Sequence, residues 1–328
     1  MLNINLRRNH MIRKLFQKFK KPASYDGENH GKISFENPVL SGNPNISKKK
    51  NILFTGASGA GKTVSGCFSE IERAMKNKES IFVFSREREY DYMKDELMAS
   101  GYIVTTICLE EYTWDHLIED MLEIPENSEI AIFFENQLCF FDCTLPDKIN
   151  QQFGRQLLSL LHLLWKENSK RSSVIIVDDI TFYQFPNKFW DYFKNAEAKS
   201  IRFVFNAFTL FHLERYLSYT KVFDTPEKEA EYKFLNVEPL LLENCTVVHI
   251  GGMFGFDLSI IPQTYPCMKN FIDIYYKNLQ DWTSRGLKYT ALQLSLDMTE
   301  EDVINGIFYY KSNEEYQEYL QKYHPNKE

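Results

Sequence analysis

The sequence predicts an α/β fold with a mostly parallel sheet, helices on both faces and a C-terminal helical appendage. Short apolar runs alternate along the chain with segments of helical periodicity. The runs stay apolar at consecutive positions, and a glycine-rich loop joins the first run to the first helix. Strands that are apolar on both faces and separated by helices are typical of parallel sheets covered on both sides.

Seven apolar runs predict strands, because they are short and rich in β-branched and aromatic residues. They are Ile52–Thr55, Ile81–Phe84, Ile103–Ile107, Ile130–Phe134, Val174–Val177, Phe203–Phe205 and Thr246–Ile250. Longer periodic segments predict helices at Thr63–Asn77, Tyr90–Ala99, Lys148–Glu167 and Pro186–Ala196. Helices of this length suit the crossovers between parallel strands, so we expect consecutive β-α-β units.

Composition divides the chain into three parts. Residues 1–50 are a basic N-terminal segment and an irregular lead-in, 51–265 are the α/β domain, and 266–328 are the helical appendage. Residues 1–21 contain seven Lys and Arg residues, no acidic residue, and apolar residues at roughly helical spacing. Such a segment either binds an anionic membrane or a phosphate backbone, or is a solvated basic tail.

Charge, cysteine pattern and hydropathy indicate which classes of protein the chain resembles and where in the cell we expect it. A net charge of −7 argues against nucleic-acid binding through bulk positive charge, so any such contact has to be local. The six cysteines form no Cys-x-x-Cys pair, as is usual for a reduced cytosolic protein. The chain shows neither the apolar stretch of about 20 residues that a membrane helix needs nor a secretory signal. We therefore expect a cytoplasmic protein, with a peripheral membrane position through residues 1–21 as an alternative.

The glycine-rich loop has the pattern of a phosphate-binding P-loop. It follows the predicted strand Asn51–Thr55 and precedes a helix that opens at Thr63. In such loops backbone N–H groups and the helix N-terminus bind phosphates, the lysine adds a positive charge, and the last hydroxyl ligates Mg²⁺. This predicts a RecA-like P-loop NTPase that binds ATP and Mg²⁺. Its cradle is formed by Gly56, Ala57, Ser58, Gly59, Ala60, Gly61, Lys62, Thr63 and Val64.

Two consecutive acids follow the strand predicted at Val174–Val177. A P-loop ATPase needs one acid to hold the Mg²⁺ shell and another group to orient the attacking water. Asp178 is predicted to position the metal together with Thr63, and Asp179 to activate the water. A strand that simply leaves the core at acidic residues has the same pattern, and the P-loop favours the functional interpretation.

Further segments follow one another in a distinctive order. They are Ser85-Arg86-Glu87-Arg88-Glu89-Tyr90, Gly101-Tyr102-Ile103-Val104, Trp114-Asp115-His116-Leu117, Phe203-Val204-Phe205-Asn206-Ala207-Phe208-Thr209-Leu210 and Glu243-Asn244-Cys245-Thr246-Val247-Val248-His249-Ile250-Gly251. Together with the P-loop and the two acids, they resemble the conjugative coupling ATPases of the TraG/TraD type, in the FtsK/HerA branch of P-loop NTPases. The resemblance runs from about Asn51 to Gly252.

The resemblance implies a motor that hydrolyses ATP, assembles as a homo-oligomeric ring such as a hexamer, and moves DNA or a relaxase–DNA complex. It implies that Asn206 senses the γ-phosphate, although an ordinary strand-terminal asparagine fits the same position. It also implies contact with a type IV secretion channel, for which residues 1–21 are the candidate. Two other functions stay open: a nucleotide-binding switch or scaffold with weak hydrolysis, and a phage or plasmid DNA-pumping ATPase of another FtsK/HerA lineage.

The sequence departs from the family's pattern in three ways. Asp179 stands where a glutamate is usual, so its carboxylate lies further from the attacking water. An arginine that the family offers to a neighbouring subunit is expected near 195–199, where Lys199 and Arg202 are the nearby cations. The chain also resembles a reduced form without the transmembrane region and without the helical insertion, since only a short link separates Trp114 from Glu129.

Overall fold

The computed structural model describes residues 51–57, 60–86, 88–108, 128–136, 145–166, 172–180, 183, 185–208, 237–250, 287–289, 291–294 and 311–312. The chain divides into two units, Met1–Phe35 and Glu36–Glu328, and all described residues belong to the second. The predictions for residues 1–50, including the basic segment 1–21, lie outside the described residues. The predicted link between Trp114 and Glu129 also lies largely outside them.

One eight-stranded sheet contains the seven predicted strands. They are β1 (Asn51–Thr55), β2 (Ser80–Arg86), β3 (Ile103–Cys108), β4 (Ile130–Asn136), β5 (Ser173–Val177), β6 (Ile201–Ala207) and β7 (Cys245–Ile250). These seven run parallel in the order β3-β4-β2-β5-β6-β1-β7. The predicted α/β fold with its mostly parallel sheet is confirmed.

The four predicted helices are present, and a fifth described helix was not predicted. A π-helical turn (Lys62–Cys67) leads into α1 (Phe68–Asn77), followed by α2 (Asp91–Ala99), α3 (Leu145–Lys166), α4 (Asn187–Asn195) and α5 (Val237–Asn244). Pro239 lies within the first turn of α5, where a proline is tolerated because the N–H it lacks would have no partner there. Because Pro239 interrupts the helical pattern of a segment that is already short, the sequence does not predict this helix.

Helices cover both faces of the sheet. Side chains alternate between the two faces along a strand, and on one face Phe153 of α3 packs edge-on against Phe84 of β2, with centroids 5.2 Å apart. On the opposite face Gly66 lies against the Phe54 ring, where an added Cβ would come within 2.8 Å of the ring. The helix that leaves the P-loop therefore lies directly on the strand that enters it.

The C-terminal region corrects one prediction. Within 266–328 the described residues form strands, β8 (Leu287–Tyr289), β9 (Ala291–Leu294) and β10 (Lys311–Ser312), rather than a purely helical appendage. Strand β9 pairs antiparallel with β7 and so extends the main sheet, while β8 and β10 pair with each other. The prediction missed these three strands because they are short and lack the sustained alternation by which strands are recognised. The rest of the predicted appendage lies outside the described residues.

The strand order decides which chain segments meet at the carboxyl edge of the sheet. Strand β6 lies between β1, which enters the P-loop, and β5, which precedes Asp178. Its register pairs Asn206 with Phe54 of β1, and the preceding Phe205 with Val177 of β5. The P-loop, Asn206 and Asp178 therefore reach the same edge side by side.

Two further sequence expectations concern cysteines and membrane helices. In the described part of the chain, Cys67 and Cys245 are buried and Cys108 is partly buried. None of the helices that the structure describes is long and apolar enough to span a membrane.

Candidate functional site

The P-loop begins where β1 leaves the sheet at Gly56. The Gly56 N–H donates to the carbonyl oxygen of Phe208, 3.0 Å away at the end of β6. Gly56 has a φ of 148°, and a Cβ there would lie 2.1 Å from the carbonyl oxygen of Ile250 at the end of β7. The chain passes so closely between its two neighbouring strands that only glycine fits. Ser58 and Gly59 lie outside the described residues.

Lys62 follows the loop directly, and Gly61 before it has a left-handed φ of 86°. The Lys62 ammonium donates to the carbonyl oxygens of Gly56 at 2.8 Å and Ala57 at 2.9 Å. Its Nζ also lies 5.8 Å from the centroid of the Phe208 ring. The ammonium therefore sits at the loop backbone, where phosphate-binding lysines are needed.

Thr63, Asp178 and Asn206 come together from three different elements. The Thr63 hydroxyl donates to Asp178 Oδ2 over 3.0 Å. Asn206 Nδ2 donates to Asp178 Oδ1, and it lies 3.4 Å from Thr63 Oγ1. The N–H of Asp178 donates to the carbonyl oxygen of Phe84 at 2.9 Å, which ties the turn after β5 to β2. The three side chains predicted from sequence thus form one hydrogen-bonded group.

Burial governs the charges in this group. It raises the pKa of Asp178, and the nearby charge of Asp179 adds to that effect, while hydrogen bonds from Tyr90, Thr63 and Asn206 oppose it. Burial also lowers the pKa of Lys62, against the effect of the two aspartates. A cation bound beside the Asp178 carboxylate would offset the cost of its burial.

Asp179 lies beside this group, in a different environment. Its backbone has a left-handed φ of 60°, a conformation that aspartate tolerates better than most residues. Its Oδ2 atom lies 3.5 Å from Nη2 of Arg86 at the end of β2, and both side chains are half-buried. The structure therefore places the predicted water-activating acid in an ion pair that the sequence did not indicate.

Two more residues of the β2–α2 connection reach the site. Tyr90, which is completely buried, donates its hydroxyl hydrogen to Asp178 Oδ2 over 2.8 Å. Burial raises the pKa of Glu89 to about 7, with Asp178 adding to the shift and Arg86 opposing it. The segment Ser85 to Tyr90 was recognised in the sequence by position, but no residue pattern indicated that Arg86 and Tyr90 contact the two acids.

The expected arginine for a neighbouring subunit is not supplied by Arg202. Its side chain is buried, 4% exposed, and pairs with Glu70 of α1 at 2.5 Å and with Glu79 at 2.7 Å. Arg202 lies four residues before Asn206 on β6, about 13 Å away along an extended strand. Lys199 is partly exposed and lies over the Trp165 ring, 5.6 Å from its centroid. No other candidate is indicated within the described residues 195–199.

The side chains fit a nucleotide with Mg²⁺. Thr63 and Asp178 supply hydroxyl and carboxylate oxygens, the hard ligands that Mg²⁺ prefers, and Mg²⁺ commonly takes only one or two protein ligands beside phosphate oxygens. No cluster of three or more His, Cys, Asp or Glu side chains that could hold a metal ion occurs among the described residues. Asn206 Oδ1 is buried and without a hydrogen-bond partner in the described structure, so it can accept from a ligand's hydration shell. Of Val64, the structure describes only the backbone, within the π-helical turn.

Comparisons with known proteins give remote structural similarities. No protein-family model matches the sequence, and no curated protein matches it. VirB4 of Thermoanaerobacter pseudethanolicus is similar with a TM-score of 0.48 and 12% identity, over 84% of this chain and 93% of that one. The genome packaging NTPase B204 from Sulfolobus turreted icosahedral virus 2, in complex with ATP-gammaS, has a TM-score of 0.38 and 8% identity, over 81% and 99%. Its complex with AMP has a TM-score of 0.36 and 9% identity, over 66% and 83%. Because these TM-scores are below 0.5, function has to be inferred from the residues of the site.

Proposed function

We propose that this protein binds ATP with Mg²⁺ and hydrolyses it to drive the movement of DNA or a DNA–protein complex. The observation that carries the nucleotide assignment is the contact between Thr63 and Asp178. It joins the last residue of the P-loop pattern to the acid that ends β5, over 3.0 Å and across 115 positions of sequence. An accidental glycine-rich turn has no reason to place its hydroxyl against a buried carboxylate.

Each residue has a separate task in this proposal. The loop from Gly56 to Val64 and the Lys62 ammonium bind the phosphates, while Thr63 and Asp178 hold the metal ion. The bound metal ion would neutralise charge that develops on the phosphates. Asp179 accepts a proton from the attacking water, and the Asn206 amide contacts the terminal phosphate.

The first test is nucleotide binding by the Lys62→Ala variant. Loss of one charged hydrogen-bond donor is worth about 1.5–3 kcal/mol, so the affinity for MgATP should fall roughly 10- to 100-fold. Lys76→Ala is the matched control, because Lys76 is exposed in the last turn of α1, away from the loop. Isothermal titration with a non-hydrolysable ATP analogue measures both. Equal affinities for the two variants would refute the assignment of the loop.

The motor function rests on the resemblance to coupling ATPases of the TraG/TraD type, from Asn51 to Gly252. We infer a ring-forming homo-oligomer whose ATP turnover depends on DNA. Turnover measured over a range of protein concentrations, with and without single- and double-stranded DNA, tests this inference. A turnover number that rises with protein concentration and is stimulated by DNA is expected. Absence of turnover under all these conditions would contradict a motor.

One observation favours a second function, a nucleotide-binding switch or scaffold with weak hydrolysis. Asp179 is shorter than the usual glutamate, and its carboxylate is paired with Arg86. A switch would bind MgATP tightly, lose that binding in Lys62→Ala, and turn over no faster than Asp179→Ala. A DNA-pumping ATPase of another FtsK/HerA lineage would share the site. It would differ only in the DNA that stimulates turnover.

A further inference from the structure

The carboxylate of Asp178 is held by donors from three directions. Thr63 and Asn206 approach it from the P-loop helix and from β6. The third donor, Tyr90, belongs to the connection between β2 and α2, and its O···O distance to Asp178 Oδ2 is 2.8 Å. Tyr90 therefore reaches the carboxylate from the protein interior.

Packing holds the Tyr90 ring in place. The ring is completely buried, meets Phe68 of α1 edge-on with centroids 5.2 Å apart, and lies 6.1 Å from the Phe133 ring of β4. A hydroxyl on a ring so enclosed has little freedom to leave its acceptor.

We propose that Tyr90 is a positioning residue that fixes the orientation of the Asp178 carboxylate for metal binding. The inference rests on the proposed function, in which Asp178 helps to hold Mg²⁺. In this proposal Tyr90 does not touch the nucleotide, because its ring is enclosed between Phe68 and Phe133. It acts through Asp178, as residues that hydrogen-bond to metal-ligating carboxylates commonly do.

Loss of the Tyr90 hydroxyl should weaken metal binding in a specific way. Outer-shell partners of metal ligands typically contribute about 10- to 100-fold to metal affinity. We expect Tyr90→Phe to raise the Mg²⁺ concentration for half-maximal nucleotide binding by about tenfold or more. The affinity for ATP in excess EDTA should stay unchanged, because the loop and Lys62 are untouched.

Tyr102→Phe is the matched control. Tyr102 is also buried, and its hydroxyl donates to the carbonyl oxygen of Glu79 at 3.1 Å, away from the carboxyl edge of the sheet. A fluorescent ATP analogue is titrated with Mg²⁺ into the wild-type chain and both variants, and each is checked by circular dichroism. The inference predicts a changed Mg²⁺ dependence for Tyr90→Phe alone. An unchanged dependence, or an equal loss of binding in EDTA, would overturn it.

A double-mutant cycle with Asp178→Asn separates positioning from general stability. If Tyr90 acts through Asp178, Tyr90→Phe changes the Mg²⁺ dependence in the wild-type background and has no further effect in the Asp178→Asn background. If Tyr90→Phe alone does not fold, recovery of folding in the Asp178→Asn background supports the contact. Failure in both backgrounds refutes it. A wild-type chain without Mg²⁺-dependent nucleotide binding would refute the proposed function as well, a result that involves no variant.

Discussion

At the scale of single residues, Asp178 and Asp179 are adjacent in sequence but meet different surroundings. Asp178 is buried and accepts hydrogen bonds from three side chains, whereas Asp179 is half-buried and pairs with Arg86. A buried, fully hydrogen-bonded carboxylate suits a fixed metal ligand. A half-buried carboxylate with a left-handed backbone suits a group that contacts a reactant. These different surroundings are the basis for the proposal that the two acids have separate roles.

Separate roles predict different effects when each aspartate is replaced by asparagine. Asp179→Asn should lower ATP turnover by about 100-fold or more, the usual contribution of a general base, with MgATP affinity unchanged. Asp178→Asn should weaken Mg²⁺-dependent binding itself. Steady-state turnover and equilibrium binding of both variants test this. Equal losses of binding would contradict the separate roles.

Arg86 should restrain Asp179. An ion pair between side chains that solvent still reaches is worth at most about 1 kcal/mol, so Arg86→Gln should raise turnover by less than about tenfold. Stability should hardly change. Single-turnover measurements would show the effect directly. A fall in turnover would instead mean that Arg86 itself contacts the phosphates.

Glu89 should make the stability of the metal-free protein depend on pH. Its pKa is raised from 4.5 to about 7, first by burial and then by Asp178. The folded state therefore binds more protons than the unfolded state between these values, and the free energy of unfolding falls as pH rises through this range. Glu89→Gln should remove this contribution, so its advantage over wild type should be larger at pH 8 than at pH 5. Urea unfolding in EDTA measures the difference, and an equal difference at both pH values would contradict it.

At the scale of elements, the P-loop is held by the two strands that flank β1. Gly56 donates to the end of β6 and passes within contact of the end of β7. The loop is therefore attached to the same strands whose ends carry Asn206 and His249. The conformation of the loop at Gly56 therefore depends on the positions of β6 and β7.

Gly56→Ala should accordingly destabilise the protein by on the order of 3 kcal/mol, the upper end of overpacking costs. The added Cβ would meet the backbone oxygen of Ile250, which cannot rotate away as a side chain could. Gly101→Ala is the control, because Gly101 also has a positive φ, 93°, but no atom lies within 4 Å of the added Cβ. Only the backbone strain of about 1 kcal/mol remains there. Urea unfolding compares the two, and equal costs would contradict the close approach.

At the scale of the whole molecule, a buried ionic cluster lies at the amino ends of β6 and β2, opposite the P-loop edge of the sheet. Arg202 at the start of β6 pairs with Glu70 of α1 and with Glu79 just before β2. These charges have little water around them, so their mutual pairing is what compensates for burial. The cluster ties a strand, a helix and the entrance of a second strand together.

Removal of Arg202 would leave both glutamates buried without their cation. Arg202→Met should therefore lower the free energy of unfolding by about 3–5 kcal/mol. Glu129→Gln should cost less than about 1 kcal/mol, because its 4.0 Å pair with Lys78 is exposed on the lysine side. Thermal and urea unfolding measure both variants. A small effect of Arg202→Met would show that the cluster is not important for stability.

Apart from Asn206, which the resemblance to a known family indicated, the sequence by itself determined the seven parallel strands, the main helices and the identity of the P-loop, Thr63 and Asp178 as site candidates. It could do so because burial on both faces, helical periodicity and glycine-rich phosphate loops are local patterns that survive without tertiary context. The extended segments within 266–328 have no such pattern, and neither does the short helix that contains Pro239.

Only the tertiary structure decided how the site residues are oriented and which neighbouring side chains hold them in that orientation. The position of β6 between β1 and β5 brings Asn206 to Thr63 and Asp178. No local sequence pattern predicts this strand order. The contacts of Tyr90 with Asp178 and of Arg86 with Asp179 span about ninety positions of sequence. They arise because β2 and β5 are neighbours in the sheet, so side chains at their carboxyl ends share one site.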